Sequence, residues 1–106
     1  MKLVDLNPQF LDSHDGRRGV GVLFDCPCGN NDENHGCFVP FKVALDGSPG
    51  GHGEKGWART GDTFETLTLT PSIFRRTSDC RGATNVTDPL PCGWHGFITN
   101  GEVITV

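Results

Sequence analysis

Two short stretches carry side chains able to hold a metal ion. Cys26-Pro27-Cys28-Gly29 sets two thiols one residue apart, and Cys92-Gly93-Trp94-His95 sets a thiol and an imidazole two residues apart. Zinc takes thiolate and imidazole donors in a closed tetrahedron when its role is structural. Cys26, Cys28, Cys92 and His95 supply four donors and leave no open position, so the expected site is a Cys3His zinc that fastens the middle of the chain to its end. Cys37 or Cys80 can stand in for Cys28, His35-Gly36-Cys37 is a third candidate pair, and zinc against iron stays open. Three thiolates make an electron-rich ion and a poor Lewis acid. The spacing therefore favours a non-enzymatic protein-interaction module, with no residue given a catalytic role.

Other chemistries fit less of the pattern. A Rieske-type iron–sulfur centre matches Cys92-Gly93-Trp94-His95-Gly96 but needs a Cys-x-His box upstream, and neither Cys26 nor Cys80 is followed by that histidine. A zinc deaminase matches His52-Gly53-Glu54 and Pro91-Cys92, but Ser48-Pro49-Gly50-Gly51 cannot open the helix it requires. A zinc-dependent hydrolase needs an open coordination position and a carboxylate base, for which Glu54 and Asp79 are the candidates. Ser72, in Thr70-Pro71-Ser72, has the type of a nucleophile, yet no histidine or acid is tied to it by spacing, and it reads first as a turn serine after proline.

The elements that must position these residues are strands. Val20 to Phe24 is an apolar run leading straight into Cys26, and Cys37 to Leu45 is a second strand whose Pro40 marks an edge or a bulge. Trp57 to Thr60 starts a third. Thr66-Leu67-Thr68-Leu69-Thr70 alternates in the manner of a half-buried strand, which Pro71 should end, with Ser72-Ile73-Phe74 extended beyond it. Asn100-Gly101, between Phe97-Ile98-Thr99 and Val103-Ile104-Thr105-Val106, is a two-residue hairpin turn of the primed type. Residues 1–12 read as a short arm, an irregular segment or a single turn, 46–56 as a mobile loop in which deleting 50–53 should cost little, and 78–91 as a second long loop. The expectation is one all-β, zinc-stabilised domain over 1–106, with about five to seven short strands, long loops and a C-terminal hairpin.

Composition bounds the rest. The chain has 106 residues, only 35% of them hydrophobic, with 15 Gly and 7 Pro. Ordering each residue costs about 1–2 kcal/mol, so a thin core invites a metal staple. A net charge of −4 lacks the basic footprint of a nucleic-acid binder, and Arg17-Arg18 and Arg75-Arg76 with Arg81 read as solvated charges. There is no apolar run long enough to span a membrane, and Met1 to Pro8 lacks a secretory pattern. Five cysteines, an odd number, suit a metal site in a reducing cytoplasm. The expected partner is another protein, to a chain that is a monomer or a small homo-oligomer.

Cys26 to Gly29 after a strand, then Trp57, then Leu69-Thr70-Pro71-Ser72-Ile73, then Cys92 to Val103 with its Cys-x-x-His-Gly-Phe-Ile-x-Asn-Gly pattern, resembles a family of small uncharacterised zinc-binding β proteins of phages and prophages. That resemblance implies a Cys3His zinc site in a β domain, no established activity, and, for a phage-encoded chain, the host cytoplasm.

Overall fold

The computed structural model describes residues 1–27, 36–51, 56–75, 80–81 and 94–106, with Arg75, Cys80 and Arg81 described as backbone. Among the described residues it is all-β apart from a 3-10 turn at Leu3–Leu6. In chain order the strands are β1 (Gln9–Leu11), β2 (Gly21–Asp25), β3 (Gly36–Pro40), β4 (Ala58–Thr60), β5 (Thr68–Arg75), β6 (Cys80–Arg81), β7 (Trp94–Thr99) and β8 (Glu102–Thr105). They form two antiparallel four-stranded sheets, ordered β1-β2-β3-β6 and β4-β5-β7-β8.

Alternation decides what each sheet buries. In the first sheet Val22 pairs with Val39 and Phe24 with Cys37, and all four are buried. In the second, Leu69, Ile73, Trp94, Ile98 and Val103 turn inward and join the same cluster. The Phe24 ring meets the Trp94 indole edge-on at 5.9 Å, which suits the quadrupoles of both rings. Trp94 is therefore core, and its indole N–H is satisfied by the Thr105 hydroxyl at 3.1 Å.

The closing hairpin forms as its turn chemistry requires. Asn100 and Gly101 have φ of 47° and 73°, the double positive φ of a type I′ turn. The turn is held from outside as well: Gly101 N–H donates to Leu67 O at 2.9 Å, and Leu3 N–H donates to Gly101 O at 2.8 Å.

Three expectations are corrected. The arm carries a short strand, β1, because Phe10 stacks on Phe64 at 4.5 Å and meets Phe41 edge-on. Pro71 does not end a strand. It lies inside β5, in a register irregularity between Leu69 and Ile73, one of the few places where a sheet tolerates proline. The described part of 46–56 is fastened rather than loose: Gly50 N–H donates to Lys42 O at 3.1 Å and Gly51 N–H to Val20 O at 3.0 Å. Arg17 adds a donor to Pro49 O at 2.7 Å. The other part of that stretch, 52–55, lies outside the described residues, as do most of 78–91.

Two consequences can be measured. A Cβ on Gly96 would lie 2.3 Å from Ile104 O and 2.6 Å from the Trp94 ring. Gly96→Ala should therefore cost about 1–3 kcal/mol in urea unfolding, and an unchanged midpoint would mean that β7 and β8 can separate at no cost. The Asp46 carboxyl is held at about 2, below its ordinary 3.8, first by the Ser48 hydroxyl and then by the backbone N–H groups of Arg18 and Ser48. A carboxyl depressed on folding stabilises the protein above its unfolded value, and that share disappears as the pH falls through the folded one. Asp46→Asn should therefore flatten the fall in melting temperature between about pH 4 and pH 2; an acid limb identical to that of the parent chain would show that this turn does not sense pH.

Candidate active site

Ser72 and His95 arrive on neighbouring strands. On β7 the burial alternates strictly, Trp94, Gly96 and Ile98 inward and His95, Phe97 and Thr99 outward. On β5, Leu69 pairs with Ile98 and Ile73 with Gly96, so three residues of β5 (Thr70, Pro71, Ser72) face one residue of β7 (Phe97). An even number of extra residues preserves the in–out alternation. Leu69 and Ile73 thus both stay in the core, while Ser72 and Phe74 share the outer face with His95.

There His95 Nε2 stands 3.3 Å from Ser72 Oγ. In the tautomer protonated at Nδ1, the serine hydroxyl donates to Nε2, which is the arrangement a general base needs to take up that proton. The imidazole is held from two sides. Phe74, directly across the ladder from His95, meets it edge-on at 5.7 Å and 78°. Val106 N–H donates to the His95 carbonyl at 2.9 Å and fixes its backbone. The serine backbone has its own anchor, since Trp57 Nε1–H donates to Ser72 O at 3.3 Å. Ser72 is half-buried and His95 exposed, so the pair opens to solvent.

The proposed zinc ligands are placed unevenly. Cys28 and Cys92 lie outside the described residues. Cys26 is partly buried beyond the end of β2 and packs against the core. His95 is on the outer face with Ser72. Among the described residues no group of three His, Cys, Asp or Glu is placed to hold a metal ion, and no helix is long and apolar enough to cross a membrane.

An all-β scaffold here presents a serine hydroxyl and an imidazole within reach of each other on one open sheet face, the two kinds of group that nucleophilic catalysis uses. The chain matches, over residues 5–106, the family described as bacterial ubiquitination-like system serine protease (BubE), and it belongs to that family. No curated protein and no solved structure matches it.

Membership in a protease family overturns the expectation of a structural zinc module that only binds other proteins, and the zinc and phage assignments have no support from it. The pairing of His95 Nε2 with Ser72 Oγ, 23 residues away on the adjacent strand, is what spacing along the chain could not report. The available signal was the pair of motifs singled out for another reason: Leu69 to Ile73 holds Ser72, and Cys92 to Val103 holds His95.

Trp57→Phe keeps a ring at the edge of the core and deletes the donor to Ser72 O. It should lower the rate at which Ser72 reacts with a fluorophosphonate probe by roughly fivefold, the equivalent of about 1 kcal/mol, with the fold retained by circular dichroism. An unchanged labelling rate would rule out the indole as a support for the serine.

Proposed function

We propose that this chain is a serine-nucleophile acyl hydrolase, with Ser72 as nucleophile and His95 as general base. Its substrate is an acyl bond in a protein of a bacterial ubiquitination-like system. The observation that carries the reading is the 3.3 Å contact between His95 Nε2 and Ser72 Oγ across two adjacent strands. The family's description as a protease of such a system supports it and points to partners that are proteins.

The chemistry follows from these two groups. His95 Nε2 takes the hydroxyl proton as Ser72 Oγ adds to the carbonyl carbon. The imidazolium then gives that proton to the departing amine or alcohol as the carbon–heteroatom bond breaks, leaving an acyl ester on Ser72. Water, activated by the same nitrogen, releases the acid and restores the serine. Holding both groups on paired strands rather than on loops keeps them oriented before the substrate arrives.

Ser72→Ala and His95→Gln should each lower cleavage of a protein substrate by about a thousandfold or more, and the double variant should be little worse than either, because the two groups act as a unit. Both should melt close to the parent temperature, since neither side chain is in the core. Full activity in Ser72→Ala would remove this reading.

A further inference from the structure

The outer face around the pair is apolar in a way that the fold does not require. Seven large hydrophobic side chains are exposed among the described residues, and four of them, Phe74, Phe97, Ile104 and Val106, lie on this face. The ladder places them side by side. Phe74 stands opposite His95, Phe97 stands opposite Ile104, and Val106 N–H reaches the His95 carbonyl. They are 43–71% exposed, so they contribute little to the core.

Polarity is graded along the face. Toward the hairpin the outward residues are Thr70, Thr99 and Glu102, with Thr99 opposite Glu102. At the other end they are Phe74, Phe97, Ile104 and Val106, and Ser72 and His95 belong to this apolar half. Isolated exposed hydrophobics are ordinary on a soluble protein; a contiguous group of them beside reactive side chains marks a binding surface.

We infer that Phe97 and Ile104, flanked by Phe74 and Val106, form the specificity surface of the Ser72–His95 site, and that it takes a bulky apolar side chain of the substrate polypeptide next to the bond being cleaved. This rests on the hydrolase reading above. The occupant follows from contiguity: Phe74 touches the catalytic imidazole, so whatever covers this surface lies within a residue or two of the carbonyl that Ser72 attacks. Bringing an aliphatic side chain onto four apolar ones removes apolar area from water on both partners, whereas a charged side chain set on these four would lose hydration without gaining a polar contact from them.

The test uses internally quenched peptides that differ only in the residues flanking the cleaved bond (Leu, Gly or Asp) against the full chain, Ser72→Ala, Phe97→Thr and Ile104→Thr. Threonine keeps strand propensity while removing the apolar surface. In the parent chain kcat/KM for Leu should exceed that for Gly by about tenfold or more. In Phe97→Thr and Ile104→Thr that ratio should collapse toward one, and a Leu-containing peptide should bind Ser72→Ala but not Ser72→Ala combined with Ile104→Thr. Cleavage that depends on Ser72 but shows the same Leu-to-Gly ratio in all chains would overturn the inference and leave the hydrolase reading intact. Cleavage equal in the parent chain and Ser72→Ala would overturn both.

Discussion

The pairing of β5 with β7 is the constraint on which the other features of this molecule depend. Side chains on a strand alternate between faces, so a shift of one residue in register would exchange core and surface along the whole strand. Here the register shifts between Leu69 and Ile73 by an even number of residues. The core therefore keeps Leu69, Ile73, Trp94 and Ile98, and the solvent face keeps Ser72, Phe74, His95 and Phe97. The same ladder that closes the hydrophobic interior thus presents a serine hydroxyl beside an imidazole. Were β5 regular from Leu69 onward, Ile73 would fall opposite Trp94 rather than Gly96, setting two large buried side chains directly across from each other.

Proline and glycine make that irregularity possible. Pro71 gives up a ladder donor where the ladder is already interrupted, and bulges recur beside active sites because they re-aim a side chain. Gly96 supplies a flat spot on the inner face, close to both the Trp94 ring and Ile104 O. The two special residues flank the site on opposite strands and belong to its geometry.

Local chemistry in the sequence was legible, and long-range pairing was not. Asn100-Gly101 is a turn whose φ values follow from its two residues alone, and the hairpin is where the sequence puts it. Val20 to Phe24 declares a strand by β-branched and aromatic content, and β2 lies there, shifted by one residue. The all-β class follows from such runs together with the lack of a convincing amphipathic helix, since Pro8 interrupts the helical spacing of Leu3, Leu6, Phe10 and Leu11. Ser72 and His95 show where that legibility ends, because their approach depends on the offset between β5 and β7. Nothing in the chain order announces an offset placed at a proline that ordinarily stops a strand. The stretch 46–51 failed for the same reason: glycine-rich composition suggests freedom, but Gly50 and Gly51 fit where any side chain would strike the backbone or Pro40.

The Ser72–His95 contact of 3.3 Å is longer than a strong hydrogen bond to a hydroxyl, and contacts of this kind shorten as a substrate binds. What must move to close it is limited by the anchors around it. The Ser72 carbonyl is held by Trp57, the His95 carbonyl by Val106 N–H, and the imidazole is met by Phe74. With both backbones pinned, the remaining freedom lies in the side chains, the serine hydroxymethyl and the exposed imidazole. A few tenths of an ångström are within reach of their rotation without any change in the sheet. On the hydrolase reading proposed above, closing the pair takes side-chain rotation alone, and a substrate side chain resting on Phe97 and Ile104 would lie on the same face of the sheet.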